Sequence, residues 1–286
     1  MPLSGFIYLD KPADISSNHV IQAISKHHPD IQSIGHTGTL DPMATGLLVV
    51  AVNRATKFIQ YLNHEPKIYE TTLRFGLNST SLDNQSFCQF VPYDHISNND
   101  LRQHIDSLIG HLSMPIPIYS ACKFQGKPLY HYARKNIKIH LPDRHYHIHN
   151  VELISHRMPE SSLRITCSHG TYIRSFIEIL GQKCHTSAIM TQLRRTHIAQ
   201  ASPRCTLENC LIDWQQHITP IEQCLPYPLL RITPKETQAL HHGKILSTMN
   251  NHQEGIYCIM AQDHFAGLAQ IKNNELKLLR FHPIAH

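Results

Sequence analysis

The sequence contains no run of apolar residues approaching the roughly 18 that a membrane-crossing helix needs. Its opening, MPLSGFIYLDKP, lacks the basic start and long apolar core of a secretory leader. No membrane partner and a cytoplasmic location are the expectations. No two of the eight cysteines form a C-x-x-C pair, so reduced thiols are expected in place of a disulfide framework or a zinc ribbon. Internal repeats and low-complexity tracts are also lacking, which excludes solenoids and disordered tails.

Histidine is the conspicuous excess, at 24 residues. The histidines spread over the whole chain, and neighbours such as His27–His28 and His241–His242 diverge on a helix. A surface preference explains them without a metal-ligand set, so no metal and no organic cofactor is expected. Charge is uneven. The chain carries +5 overall, yet residues 119 to 200 hold 12 of its 26 Lys+Arg and only 4 of its 21 Asp+Glu. A basic stretch interleaved with aromatics suits a polyanion, because each displaced counterion favours binding to a phosphate backbone. On charge alone, a merely solvated basic face fits as well.

At 286 residues the chain exceeds one average domain and is long enough to bury a core. Residues 5 to 9 read as a strand, and Ser16 or Ser17 can cap a helix reaching residue 25. LLVVAV (47 to 52) suits a buried strand, 56 to 61 a short helix, and the alternating 67 to 76 another strand. Polar residues 78 to 98 read as a loop region. Helices are expected over 101 to 112, 129 to 135 and 171 to 183, with strands near 151 to 157 and 162 to 168. After Pro226 and Pro228 a helix (234 to 242) precedes strands near 255 to 260, 265 to 271 and 275 to 281. Strands and helices mix without a βαβ beat. The expected fold class is therefore α+β, with a mixed, largely antiparallel sheet flanked by helices and loops over residues 1–228 and a small β-rich module over 229–286.

Three stretches carry candidate chemistry. Residues 35 to 48, GHTGTLDPMATGLL, place Asp41 on a loop with Gly35, Gly38 and Gly46, where a Cβ would obstruct the backbone. Pro42 biases Asp41 away from helical dihedrals. One carboxylate is thus presented in a fixed orientation, although an Asp-Pro pair in a loop also serves ordinary turns. In CSHGTYIR (167 to 174), Thr171 can cap a helix whose first turn holds Tyr172 and Arg174, an arginine able to pair with a buried carboxylate. Lys67 and Tyr69 share one face of a strand, a basic residue beside an aromatic as in nucleic-acid contacts, or simply packing.

GHTGTLDPMATGLL resembles the signature of the TruB-type tRNA pseudouridine-55 synthases. DKPADISSN, RATK (54 to 57), KIYETTLRFG, YSACKFQGKPLYHYAR (119 to 134), CSHGTYIR and LRR (193 to 195) follow in that family's order, over roughly residues 5 to 200. HHGKI (241 to 245), FAGLA (265 to 269) and LKLLR (276 to 280) are similar to a PUA-like RNA-binding module.

The resemblance implies isomerisation of uridine-55 in the T-loop of tRNA, by base flipping and aspartate catalysis. It implies catalytic roles for Asp41, its ion-pair partner Arg174 and Tyr69, which would stack on the uracil. Tyr172 and Leu193 would line the pocket, His36 would fill space left by flipped bases, and Lys11 and Pro12 would be structural. The implied partner is the T-arm of tRNA, met by a monomer that requires no protein partner. Lys135 and Lys138 are expected to touch phosphate. Departures stand at Asp14 (usually Gly), Met114 (Gln), Ile116 (Pro) and Ile179 (often Asp), the last weakening hydrogen bonding around the site. A glycosylase that cleaves the same bond, and a non-catalytic tRNA-folding protein, are the rival classes.

Overall fold

The computed structural model describes residues 2–135, 137, 139, 141–247 and 252–282; Lys138 lies outside the described residues. In chain order the strands are β1 (Gly5–Lys11), β2 (Ile34–Thr37), β3 (Thr45–Val52), β4 (Lys67–Phe75), β5 (Leu77–Ser79), β6 (Cys88–Phe90), β7 (Gly110–Met114), β8 (Lys123–Phe124) and β9 (Lys127–Pro128). They continue as β10 (Arg144–Arg157), β11 (Glu160–Cys167), β12 (Ala188–Ile198) and β13 (Cys205–Thr206). Among the described residues a large sheet runs in the order β13-β1-β3-β12-β4-β11-β10-β7, with β2 added to β3. Only β1/β13 and β3/β12 are parallel. The fold is thus α+β with a mixed, largely antiparallel sheet.

A second sheet takes β14 (Leu229–Ile232), β15 (Leu246–Ser247), β16 (Gly255–Ala261), β17 (His264–Lys272) and β18 (Glu275–Phe281), ordered β14-β16-β17-β18-β15. It is the small β-rich C-terminal unit of the sequence reading. Phe6, Leu47, Val49 and Phe58 pack in one apolar cluster with Cys258, Met260, Phe265 and Leu268, so the two sheets share a core.

Local chemistry explains the elements that position the site. Ser16 caps α1 (Ser17–His27) by accepting from the His19 N–H. β3 is buried on both faces, as a continuous apolar run demands. In β4 the two-residue period turns Lys67, Tyr69, Thr71, Leu73 and Phe75 inward. There they meet Phe176, Ile177 and Leu180 in the same core cluster as Tyr69, Leu73 and Phe75; these three lie on the helix Ile173–Lys183.

Several expected boundaries change. The helix expected over 101 to 112 is α2 (Asn98–Asp106). It ends at Asp106 with Ser107 as its C-cap, and Gly110, at φ +107°, opens β7, which pairs with the His-rich start of β10. That pairing draws β10 back to Arg144 from the expected 151. The segment 56 to 61 belongs to a 3-10 helix, Asn53–Tyr61. The loop region 78 to 98 contains the β5–β6 ribbon, and 188 to 198, given no element from sequence, is the central strand β12. The helix 129 to 135 is α3 (Leu129–Ala133), and that over 171 to 183 is α4 (Ile173–Lys183). Thr171 does not cap α4: its hydroxyl donates to the Ser168 carbonyl, and Tyr172 occupies the cap position.

Candidate active site

The loop between β2 and β3 carries Asp41, and side chains grip it on both sides. Ser17 Oγ accepts from the Leu40 N–H at 2.9 Å and donates to the Leu40 carbonyl at 3.2 Å. Lys11 Nζ, fully buried, donates to the carbonyls of Pro42 (3.0 Å), Pro12 (2.8 Å) and Ile15 (2.6 Å). Three acceptors match three ammonium donors, and burial pulls its pKa down to about 8 against the attraction of Asp14 and Asp41. Arg195 donates through Nη2 to the Gly38 carbonyl (2.7 Å) and through Nε to the Leu47 carbonyl (2.8 Å). The backbone around Asp41 is therefore tied at residues 38, 40 and 42.

Two of the three glycines of this loop are needed for that shape. Gly46 has φ +98°, and a Cβ there would lie 2.2 Å from the Arg195 carbonyl oxygen. Gly38 has φ +69°. Gly35, expected to be equally constrained, meets nothing closer than 3.7 Å and has ordinary φ, because it sits in the regular ladder of β2.

Arg174, in the first turn of α4, closes on Asp41 edge to edge. Nε lies 2.9 Å from Oδ2 and Nη2 donates to Oδ1 at 3.0 Å. Nη2 also donates to the Tyr119 carbonyl and Nη1 to the Ser81 carbonyl, both at 2.9 Å, with Asp83 Oδ2 at 3.9 Å. The Arg174 side chain is 4% exposed and that of Asp41 30%, so the carboxylate is held from behind and open in front. Burial raises the Asp41 pKa above the ordinary aspartate value, and Asp83 adds to the rise, whereas Arg174 and Lys11 pull it down.

The open face of Asp41 looks into a cavity of about 330 Å³, small for a ligand site, lined also by Tyr69, Tyr172, Leu193 and Arg174. Five of the six expected site residues thus meet around one space. Tyr69 is buried with its hydroxyl near Arg195, and burial raises its pKa. His36 does not line the cavity. It is half-buried on β2 opposite Val50, its Nδ1 without a hydrogen-bond partner, and burial and Arg195 lower its pKa.

Sequence reasoning assigned no role to Arg195 or Asp83, nor to Arg144, which also lines the cavity. Adjacent residues of a strand face opposite ways, so in the Arg194-Arg195 pair Arg194 reaches outward to Asp10 while Arg195 turns into the cavity wall. That doublet was the available signal. Lys67, read from sequence as either a nucleic-acid contact or packing, is 4% exposed and lines the cavity, with Nζ 3.1 Å from His169 Nδ1. Three of the four departures have a structural place, and nothing in the structure explains Ile116. Asp14 takes φ +61°, a left-handed geometry that Asp tolerates in place of Gly. Met114 is buried in β7 and Ile179 packs against the main core, an apolar substitute for hydrogen bonding.

A carboxylate aimed by a guanidinium, above an aromatic-lined cavity walled by cations, suits a site that grips one flat ring. The family model described as TruB family pseudouridylate synthase (N terminal domain) matches residues 26–173. The tRNA pseudouridine synthase B of Idiomarina loihiensis is 31% identical over 287 residues, covering 96% of this chain and 92% of that protein. That of Tolumonas auensis is 40% identical over 195 residues, 68% of this chain and 60% of the relative. Among solved structures, a chain of an H/ACA RNP bound to a substrate RNA containing 2'-deoxyuridine superimposes with TM-score 0.73 at 21% identity, covering 98% of this chain and 85% of that one. A chain of a Cbf5-Nop10-Gar1 complex gives 0.72 at 22%, with the same coverage. These similarities in structure establish the fold.

The fold and the site together define a pseudouridine synthase. The chain belongs to the TruB family of pseudouridylate synthases.

Proposed function

We propose that the protein isomerises uridine-55 in the T-loop of tRNA to pseudouridine, with Asp41 as its catalytic carboxylate. The observation that carries this reading is the two-point Arg174–Asp41 pair facing a cavity lined by Tyr69. The relatives named tRNA pseudouridine synthase B support tRNA as the substrate. The reaction breaks the N1–C1′ bond and forms C5–C1′; N1 gains a proton and C5 loses one, so no atom leaves and no cofactor is required by the stoichiometry.

In this reading the target base leaves the stack, a cost of a few kcal/mol that the cavity offsets by aromatic contact and by phosphate contacts outside it. Tyr69, Tyr172 and Leu193 hold the ring, and Asp41 acts at the sugar or the ring as nucleophile or base. The Tyr69 hydroxyl, which burial keeps protonated, would serve the departure of the C5 proton as a relay, taking it up as its own proton passes to solvent. His36, outside the cavity, serves the reshaped RNA loop. Residues 1–228 form the catalytic unit and 229–286 a PUA-like RNA-binding unit. The enzyme works as a cytoplasmic monomer on the T-arm without a protein partner.

Incubating a tRNA transcript with the protein and mapping pseudouridine by mass spectrometry or carbodiimide tests the reading. Conversion confined to position 55 is expected. Free uracil as product would instead make the protein a glycosylase.

A further inference from the structure

Two buried cations in the cavity wall have no acidic partner. Lys67 is 4% and Arg195 1% exposed. Among the described residues neither forms an ion pair with a carboxylate. Burying uncompensated charge is costly, and here each cation also repels the other, which with burial pulls the Lys67 pKa down to about 8. Glu65, the acid whose field reaches Lys67, uses Oε1 to accept the His169 N–H.

The donors are also unspent. Of the three ammonium protons of Lys67, one meets His169 Nδ1, at 3.1 Å. Arg195 commits Nε and Nη2 to Leu47 and Gly38 and also meets the Tyr69 hydroxyl, with no acidic partner. The two cations lie side by side over one residue: a Cβ built on Gly38 would sit 3.2 Å from Lys67 Nζ and 3.2 Å from Arg195 Nη1. Gly38, on the loop that carries Asp41, lines the cavity together with Lys67 and Arg195. From there Lys67 reaches toward the rim, where exposed His169 and half-buried His64 lie with ring centroids 5.6 Å apart.

We propose that Lys67 Nζ and the Arg195 guanidinium, side by side in the cavity wall next to Gly38, form an anion subsite that takes a phosphodiester oxygen of the substrate RNA beside the target nucleotide. The proposal rests on the reading that the cavity receives a uridine of RNA. A phosphodiester neutralises the paired cations and fills the donors that the protein leaves unused. The rim position of His169 favours backbone over base, since the strand must cross the rim for its base to enter. His169 is a positioning residue that keeps the ammonium turned to the subsite.

The test uses a T-arm RNA hairpin with a neutral methylphosphonate at the linkage 5′ or 3′ of the target uridine. Binding is measured to the full chain carrying Asp41→Asn, which prevents turnover, and to the same chain with Lys67→Met added. At one linkage the neutral group should weaken binding to the parent about tenfold and to the Lys67→Met protein less than about twofold, and Lys67→Met should lower the salt slope by roughly 0.7 to 0.9. No loss at either linkage with the parent overturns the proposal, and this arm requires no second variant to fold. Equal losses with both proteins overturn it too, as does a Lys67→Met effect absent from binding and seen only in the single-turnover rate of a chain that keeps Asp41, which would move the cations to the uracil ring. Conversion of the unmodified hairpin by the wild-type chain is scored separately: its failure removes the uridine reading, not the subsite geometry.

Discussion

Arg174 meets Asp41 with two nitrogens on two oxygens, Nε to Oδ2 at 2.9 Å and Nη2 to Oδ1 at 3.0 Å, while its remaining donors hold the Ser81 and Tyr119 carbonyls. One side chain thereby fixes the carboxylate and ties it to the 79–83 turn and the 115–122 segment. Arg174→Ala should lower kcat/KM at least about 100-fold and destabilise the fold by about 3 kcal/mol. Arg174→Lys retains charge but not the two-point grip, and should recover stability better than activity. Lys135→Ala, at an exposed position, should cost less than about threefold in activity and flatten the salt dependence of tRNA binding. Steady-state kinetics and thermal unfolding of the three proteins decide this; equal, small losses would remove Arg174 from the site.

Ring and hydroxyl of Tyr69 are separable. Tyr69→Leu should lose roughly 1 to 3 kcal/mol of substrate binding through lost stacking. Tyr69→Phe should bind nearly normally yet fail to finish the reaction. Rapid-quench analysis with a labelled target uridine reads this directly. Full-rate product from Tyr69→Phe contradicts a proton-transfer role for the hydroxyl.

The pH dependence has a defined sign. Asp41 must be ionised to act, and its pKa stands above the ordinary aspartate value of 3.8. Activity should therefore fall on acidification at a higher pH than an unperturbed aspartate would give. Since the Asp83 charge raises the Asp41 pKa, Asp83→Asn should move the acid limb to lower pH. Single-turnover rates across pH, at saturating tRNA, would show an unmoved limb if the coupling were absent.

Backbone geometry of the catalytic loop predicts a contrast between two glycines. Gly46→Ala forces a Cβ against the Arg195 carbonyl at positive φ and should destabilise the protein by more than about 2 kcal/mol. Gly35→Ala meets only ordinary contacts and should change stability by less than about 1 kcal/mol. Denaturant unfolding compares them, and similar losses would contradict the clamped loop.

Asp41, Arg174 and Tyr69 were legible as candidates from loop, helix-start and strand-period chemistry along the chain, whereas their roles, and the places of Tyr172 and Leu193, came only from the family resemblance. Asp83 and Arg195 were not legible, since their roles depend on contacts closed by the sheet: Asp83 approaches Arg174 from the ribbon between β4 and α2, and Arg195 reaches Gly38 only because β12 inserts between β3 and β4. β12 itself, AIMTQLRRTHI, shows poor alternation because its pairing with β4 shifts register twice. His36 was legible as a motif member, but its distance from the cavity lining depends on the β2–β3 register. The overlong helix at 101 to 112 arose where one apolar pattern, LRQHIDSLIGHL, runs on past Gly110 into a strand.

Asp41→Asn, assayed by mass-spectrometric mapping of pseudouridine in a tRNA transcript alongside direct binding of the same RNA, tests the central assignment most directly. Pseudouridine at position 55 should appear with the wild-type chain and be abolished in the variant. Affinity should stay within about tenfold, since binding comes mostly from backbone and loop contacts. Retained conversion by the purified Asp41→Asn protein would contradict the assignment of Asp41 as the catalytic carboxylate.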